Sequence, residues 1–240
     1  MTTLFISDLH LEPQKPAVTK AFLAFLQKEA ENIDALYILG DLFEAWIGDD
    51  YEDDFTAAVK TGLTSVSARG IPLYFMHGNR DFLIGEQFAA QTGCQLLSDP
   101  CTIDLYGCPT LLMHGDTLCT EDTAYLEFRS MVRNPAWQQS LLDKSIAERL
   151  AIAQNLREVS REKTGEKAAE IMDVTQAEVE RVMAQHQVTR LIHGHTHRPQ
   201  VHQLEIGGAA AERIVLGDWD NSAWALRVDQ DGYHLDLFPI

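Results

Sequence analysis

The chain has 240 residues, of which 45% are apolar, and it combines 36 acidic with 19 Lys and Arg residues. This length suits one large domain or one domain with an insertion, and no stretch approaches the roughly 18–20 apolar residues of a membrane span. The net charge of −17 argues against non-specific binding to nucleic acid, and so against a nuclease, because such binding needs a basic surface.

The N-terminus begins with a strand pattern, without a basic leader, an apolar core or a cleavage site. We therefore expect no signal peptide, and a chain that stays in the cytosol. The four cysteines form no C-x-x-C pair, and in such a compartment they are expected to be reduced thiols without a functional role. They are Cys94, Cys101, Cys108 and Cys119.

Five apolar runs, each typical of a buried strand, end directly in residues that bind metals. The runs span residues 3–7, 35–39, 73–76, 110–113 and 191–192. The residues that follow them are Asp8, His10, Asp41, Asn79, His114, His195 and His197. Helical spacing between the runs predicts helices over 17–30, 55–68 and 82–93. The alternation of strand and helix indicates an α/β layered sandwich.

The remaining sequence predicts a second sheet and a helical insertion. Two strands are expected within 95–113, and the alternation from Val201 onward indicates antiparallel strands that close this sheet. Residues 120–185 show helical spacing without a strand pattern. We interpret them as a cap above the strand ends, with residues 1–119 and 186–240 as the core. The alternative is that these helices belong to the outer helical layer of the core.

Carboxylates, an amide and imidazoles at five strand ends suit Mn²⁺, Fe²⁺ or Zn²⁺ rather than Ca²⁺ or a thiolate zinc site. The set is too large for one ion. Two ions about 3.5–4 Å apart that share one carboxylate would clamp phosphoryl oxygens in a displacement reaction. The acidic stretch 49–54 is interpreted as a solvated loop and helix start rather than as a further metal site.

These motifs, in this order, resemble those of the calcineurin-like metallophosphoesterases. The matching blocks are Asp8-x-His10, Gly40–Asp41, Gly78–Asn79–Arg80–Asp81, His114 and Gly194–His195-x-His197. The resemblance implies a four-layer α-β-β-α fold and two divalent ions, expected to be Mn²⁺. It further implies that one ion is held by Asp8, His10 and His197 and the second by Asn79, His114 and His195, with Asp41 as the bridge.

The other histidines carry weaker expectations. His193 precedes Gly194 at the end of its apolar run, so it is a candidate for orienting a metal ligand. The alternative is that it is a core residue. The remaining histidines are expected to have no catalytic role, and these are His77, His186, His202 and His234.

Arg80 occupies the position where the family usually has a histidine. An arginine does not release a proton in proteins, so it cannot act as the acid for an alkoxide leaving group. A phosphate leaving group needs no such acid, because its second pKa is about 6. Arg80 therefore favours hydrolysis of a phosphoanhydride, with the guanidinium stabilising developing charge. The alternative is an inactive enzyme, which the complete ligand set disfavours.

Arg80, the block Gly40–Asp41–Leu42–Phe43–Glu44-x-Trp46 and the cap together resemble the pyrophosphohydrolases of lipid A synthesis that act on UDP-2,3-diacylglucosamine. The resemblance implies attack on the UDP α-phosphate to give UMP and 2,3-diacylglucosamine 1-phosphate. It also implies that the protein is peripherally attached to the cytoplasmic face of the inner membrane. It implies catalytic roles for Asp41, Asn79 and Arg80. The implied substrate-binding residues are Asn79, Arg80, Asp122, Ser160, Thr164, Lys167 and His195.

The sequence also allows two other functions. A soluble nucleotide pyrophosphatase or phosphodiesterase of the same superfamily would have no use for a long cap with apolar faces. A non-enzymatic scaffold would be expected to lack metal ligands, and none is missing. Residues 120–170 hold eight basic and nine acidic residues, so basic side chains are concentrated where an anionic substrate would bind. No obligate protein partner is evident.

Overall fold

The computed structural model describes residues 1–166 and 173–240, with residues 159–166 described by their backbone alone. The strands are β1 (Thr2–Ile6), β2 (Ala35–Leu39), β3 (Leu73–Met76), β4 (Cys94–Leu97), β5 (Cys101–Leu105), β6 (Cys108–Met113), β7 (Arg190–His193), β8 (Gln200–Ile206), β9 (Ala209–Val215), β10 (Ser222–Asp229) and β11 (Gly232–Pro239). The helices are α1 (Pro16–Glu29), α2 (Asp54–Ser67), α3 (Glu86–Thr92), α4 (Thr123–Val132), α5 (Pro135–Leu142), α6 (Ile146–Glu166) and α7 (Gln176–His186).

The strands form two sheets. The first has the order β11-β10-β1-β2-β3-β4 and the second β5-β6-β7-β9-β8. In the first sheet β1, β2, β3 and β4 run parallel, with Phe5 opposite Tyr37. In the second, β6 and β7 are parallel, with Met113 opposite His193. The carboxyl ends of parallel neighbours meet at one edge, which brings the predicted metal ligands together.

Alternation along the strands divides the core into three apolar layers. Leu4 and Ile6 face helices α1 to α3, whereas Phe5 between them faces the second sheet. Leu112 faces back toward the first sheet, and its neighbours on β6 pack against α7. The order of layers is therefore helix, sheet, sheet, helix, as the family resemblance implies.

Helices α4 to α6 and helix α7 pack in different places. Val179 and Met183 of α7 lie in the same apolar cluster as Leu111 of the second sheet. Leu141 of α5 packs instead with the cluster that contains Trp46. The boundaries 120–185 for the cap stay a prediction, since α7 also belongs to the outer layer. No helix in the described ranges has the length and apolar character to cross a bilayer.

Three sequence-based expectations about the elements were wrong in detail. The helix expected over 82–93 begins only at Glu86, because the Asp49 carboxylate accepts the N–H groups of Gly85 and Phe88 at 3.1 and 2.9 Å. Residues 94–113 hold three strands rather than two, and β4 joins the first sheet. Strands β10 and β11 also join the first sheet, since β10 pairs with β1 and not with the second sheet.

Candidate metal centre

The predicted ligands lie in loops at the carboxyl ends of five strands. Asp8 and His10 follow β1, Asp41 follows β2, and Asn79 follows β3. His114 follows β6, while His195 and His197 follow β7. Backbone hydrogen bonds connect these loops: Asp8 N–H donates to Gly40 O at 3.1 Å and His10 N–H donates to Asp41 O at 3.0 Å.

Five of the predicted ligands have left-handed backbone conformations, which are uncommon for residues other than glycine. The φ angles are 57° for Asp8, 47° for His10, 54° for Asp41, 67° for His195 and 54° for His197. Such conformations cost of order 1–3 kcal/mol each and persist only where the surrounding structure imposes them. Their concentration in one set of loops therefore indicates a functional site.

Glycines allow the carboxylates to approach the backbone closely. A Cβ at Gly78 would lie 2.0 Å from Asp41 Oδ1, and a Cβ at Gly194 would lie 2.3 Å from Asp8 Oδ2. Both positions therefore exclude any larger residue. The same oxygens accept backbone N–H groups, at 2.8 Å from Arg80 and 2.9 Å from His195.

The first predicted ligand group is assembled. The ligand atoms of Asp8, His10 and His197 lie within 4.8 Å of one another. His197 Nε2 is 3.4 Å from Asp8 Oδ1 and 3.3 Å from His10 Nε2. The His10 ring is oriented by Glu44, whose Oε2 lies 3.1 Å from Nδ1. A carboxylate in this place fixes the tautomer and directs Nε2 toward the other ligands.

The second group lies beside the first, with Asp41 between them. Asp41 Oδ2 is 3.8 Å from His10 Nε2 and 3.9 Å from His114 Nε2. Asn79 Oδ1 is 3.0 Å from both His114 Nε2 and His195 Nδ1. His114 Nδ1 donates to a backbone oxygen, that of Leu39, at 2.9 Å, which leaves Nε2 for the cluster.

Asp8 lies close to ligands of both predicted ions, although the resemblance assigns it to one ion only. Its ligand atoms group with Asp41 and His114 as well as with His10 and His197. Its Oδ2 accepts hydrogen bonds from Ser7 and His195, whereas Oδ1 is buried without a hydrogen-bond partner in the described part of the chain. A buried carboxylate oxygen without a donor is costly unless a cation meets it.

The electrostatics of the cluster favour bound positive charge. Burial opposes protonation of His114, yet the charges of Asp41 and Asp116 raise its pKa to about 9. Burial likewise opposes protonation of His197, but the Asp8 carboxylate, 3.4 Å from its Nε2, raises its pKa to about 9. Oxygen and imidazole donors around a buried carboxylate whose Oδ1 accepts no hydrogen bond from the described residues fit divalent cations of the Mn²⁺, Fe²⁺ and Zn²⁺ class.

Asp81 supports the loops, a role that the sequence analysis did not assign. It is fully buried and accepts N–H groups from Leu42 at 2.7 Å and from Gly78 at 2.9 Å. It therefore holds the β2 and β3 loops together behind Asp41. The sequence indicated Asp81 only through its place in the Gly78–Asp81 block. Its spacing there does not distinguish a carboxylate that supports the loops from one that binds a metal.

A cavity of about 460 Å³ opens onto the cluster, and side chains of helices α4, α5 and α6 line one side of it. The described residues that line it at the metal end include His10, Asp41, Asn79, Arg80, His195 and His197. Its apolar wall includes Trp46, Phe82, Leu83, Phe128, Leu141, Ile152 and Leu156. Arg80 Nε is buried without a hydrogen-bond partner among the described residues, so this guanidinium has capacity for an anion.

Four of the seven predicted substrate-binding residues have described side chains, and these four line the cavity. Asn79, Arg80, His195 and Asp122 line the cavity, and Asp122 also accepts the N–H of Tyr125 at the start of α4. Their roles stay predictions. The side chains of Ser160 and Thr164, and the whole of Lys167, lie outside the described residues.

The residues expected to be less important are also placed. His193 Nε2 is 3.1 Å from the Arg213 guanidinium, and burial lowers the pKa of His193 to about 3. Its proposed orienting role stays a prediction.

In the acidic stretch, Asp53 caps α2 as expected and Asp50 pairs with Arg149. All four cysteines are free thiols, as predicted.

The chain belongs to the calcineurin-like phosphoesterase family, whose model matches residues 1–199. It is similar over its whole length to proteins named UDP-2,3-diacylglucosamine hydrolase. That of Azotobacter vinelandii is 53% identical and that of Pseudomonas aeruginosa 54% identical, each over 100% of both chains. The Stenotrophomonas maltophilia protein is 52% identical over 98% of both chains.

A solved archaeal phosphodiesterase has the same fold at a TM-score of 0.50. It is 12% identical to this chain, and the match covers 99% of this chain and 100% of that one. At this identity the likeness concerns the fold alone.

Proposed function

We propose that this chain is a metal-dependent hydrolase that cleaves the pyrophosphate bond of UDP-2,3-diacylglucosamine. Water attacks the α-phosphate of the UDP group, and the products are UMP and 2,3-diacylglucosamine 1-phosphate. The relatives described above, similar over their full length, support this substrate. The reaction belongs to lipid A biosynthesis.

The observation that carries the proposal is the continuity between an apolar cavity and the histidine–carboxylate cluster. The substrate combines a charged diphosphate with two acyl tails, so its site needs both environments side by side. Phe82, Phe128 and Leu156 supply apolar surface in the cavity whose inner end holds Asp41 and Asn79. A small soluble nucleotide would leave that apolar surface exposed to water.

The cluster would hold two divalent ions, and we propose Mn²⁺ for both. Asp8, His10 and His197 would hold one ion and Asn79, His114 and His195 the other, with Asp41 as the ligand that the two groups would share. When bound, such ions supply Lewis acidity toward phosphoryl oxygens and make a water more acidic near neutral pH.

Arg80 acts on the leaving group in this proposal. Its backbone N–H holds Asp41 Oδ1 at 2.8 Å, which fixes the start of the side chain beside the cluster. Its guanidinium lines the cavity and stays charged throughout the reaction. It therefore stabilises negative charge on the departing phosphate, which needs no proton from the enzyme.

The substrate also suggests where the protein works. We propose peripheral attachment to the cytoplasmic face of the inner membrane, where a diacylated sugar nucleotide resides. Met131 and Leu150 on the cap helices are 46% and 44% exposed, and they supply apolar contacts with a bilayer.

Hydrolysis in ¹⁸O-labelled water tests the reaction and the site of attack. Mass spectrometry of the products should find one ¹⁸O in UMP and none in the sugar phosphate. Label in the sugar phosphate would contradict attack on the α-phosphate. UDP-glucosamine without acyl chains is the matched substrate, and we expect it to be a much poorer one. Equal efficiency with the two substrates would rule out the lipid function.

A further inference from the structure

We propose that Tyr125 and Arg129 on one face of helix α4, together with Arg133 at its C-cap, position the two loops of the metal centre that follow β6 and β3. These residues are spaced four apart, so they lie on the same side of the helix. The inference rests on the proposed metal-dependent function and adds two positioning residues, Arg129 and Arg133, that are not among the described residues lining the cavity.

The first contact is with the loop that follows His114. Asp116 is fully buried two residues after His114, and its Oδ2 accepts the Arg129 Nε–H at 2.7 Å. The Tyr125 hydroxyl donates to the same oxygen. Two donors from one helix therefore fix a carboxylate that begins the short 3₁₀ turn Asp116–Leu118.

Arg129 also neutralises a second buried acid. Its Nη2 lies 3.6 Å from Asp99 Oδ2, and the Asp99 side chain is 9% exposed. A guanidinium between Asp99 and Asp116 offsets the cost of burying two carboxylates close together. The position of Arg129 is thus determined by charge as well as by hydrogen bonding, which makes α4 a rigid support for the His114 loop.

The second contact is with the loop that follows β3. Arg133 Nη2 donates to Gly78 O at 2.8 Å, and this carbonyl belongs to the peptide that immediately precedes Asn79. Gly78 N–H in turn donates to Asp81 at 2.9 Å. Both backbone polar groups of Gly78 are therefore hydrogen-bonded, its C=O by Arg133 and its N–H by Asp81, directly before the predicted ligand Asn79.

The adjacent side of the same helix faces the substrate cavity. Ala124 and Phe128 line the apolar wall, and the Tyr125 ring lies 5.9 Å from that of His195. Among the described residues that line the cavity, Arg129 and Arg133 are not found. Arg133 Cζ also lies 5.6 Å from the ring centroid of Phe82 in the apolar wall, and a methionine at this position keeps an apolar contact there. Substitution of the two arginines should therefore affect metal affinity and kcat much more than the binding of the acyl tails.

The test compares Arg133→Met and Arg129→Lys with the wild type in Mn²⁺ titration of the metal-free protein by calorimetry. Residues that orient metal ligands typically contribute 10–100-fold, so we expect the Mn²⁺ dissociation constant to rise about tenfold or more, with a similar fall in kcat. The KM for the diacylated substrate should change by less than about twofold. Arg181→Met is the matched control, because Arg181 is 58% exposed on α7 and its side chain contacts Glu178 and Gln185 of the same helix.

Two results would overturn the proposal. The first is a folded Arg133→Met protein whose Mn²⁺ affinity and kcat match those of the control. The second is a lowered melting temperature with unchanged metal affinity below the transition, which would indicate a purely structural role. Arg129→Lys keeps a cation between Asp99 and Asp116, so it tests the geometry without leaving two unpaired buried acids. Failure of the wild type to hydrolyse UDP-2,3-diacylglucosamine would reject the proposed function, while the Mn²⁺ titrations would still decide the role of α4.

Discussion

The strand-end loops and the cavity wall meet around the same space, but their side chains are held in different ways. In the loops, Asp8 and Asp41 are almost completely buried, and backbone N–H groups fix their oxygens. In the wall, apolar side chains such as Phe128 and Ile152 come from helices, and packing alone positions them. The loops also contain uncommon left-handed residues.

This difference matches the tasks of the two regions. Reacting groups must be placed to a fraction of an ångström, because misplacement of about 1 Å can cost about a hundredfold in rate. Acyl tails are bound through the area that they bury, which tolerates variation in shape. Substitutions in the loops should therefore give large effects on turnover, and those in the wall should give smaller effects on substrate binding.

The largest effect is expected for Asp41→Ala, which tests the loop side of the comparison. Asp41 Oδ2 lies almost equally far from His10 and His114, so its loss should weaken both metal groups. Lewis-acid stabilisation amounts to several kcal/mol, so turnover with Mn²⁺ in excess should fall by about 10³-fold or more. Circular dichroism should show that the fold is retained.

Asp231→Ala serves as the control for this experiment, because Asp231 is an exposed acid in the β10–β11 turn. It should retain wild-type turnover. If Asp41→Ala kept more than about a tenth of wild-type turnover, the effect would be below ~1.4 kcal/mol and a bridging role would be untenable.

Arg80→Ala should give the next largest effect. Loss of one preorganised charge donor should raise the barrier by about 3–4 kcal/mol, mostly in kcat. The wild type should also cleave the sugar-nucleotide anhydride far faster than an alkyl phosphodiester of similar size. Equal wild-type rates on the two substrates would refute the leaving-group role, whatever the variant does.

The two regions also differ in how far the sequence predicts them. The metal loops were predictable because the ligands come shortly after the ends of five strands. Their position in the sequence therefore determines which edge of the sheet they occupy. Asp81 was harder, since only the structure shows that its oxygens turn back to the N–H groups of Leu42 and Gly78.

The cavity wall and the sheet membership depend on contacts between distant segments. Alternation predicted β10 and β11 as strands, but their pairing with β1 rather than with the second sheet does not follow from periodicity. Helical spacing in α4 likewise indicates one apolar face without showing what Arg129 and Arg133 contact. Long-range pairing of this kind leaves no local signal.

Stepwise shortening of the acyl chains should weaken substrate binding stepwise, because the apolar wall of the cavity binds the tails. Each buried methylene contributes at most about 0.8 kcal/mol, and ordering of the tail reduces this amount. Removal of two carbons from one chain should therefore raise KM by up to about tenfold and leave kcat nearly constant. Kinetics in mixed micelles over a series of chain lengths would measure the slope, and a flat series would show that the wall does not bind the tails.

The smallest effect is expected for a single polar substitution in the wall, and α6 offers a matched pair of positions. Ile152 lines the cavity, whereas Leu150, two residues earlier, is 44% exposed on the outside of the same helix. Ile152→Asn should weaken substrate binding by about 1 kcal/mol, or roughly fivefold in KM, because it removes apolar area from the tail's surroundings. Leu150→Asn makes a similar chemical change where no tail is in contact, so its KM for a water-soluble short-chain substrate, measured without micelles or bilayers, should equal that of the wild type. Since neither side chain can orient a predicted metal ligand by a hydrogen bond, both variants should keep the wild-type kcat and Mn²⁺ affinity. A loss of kcat in Ile152→Asn without a change in KM would show that the wall aligns the phosphates rather than binding the tails, and the proposed separation between the two regions would then be wrong.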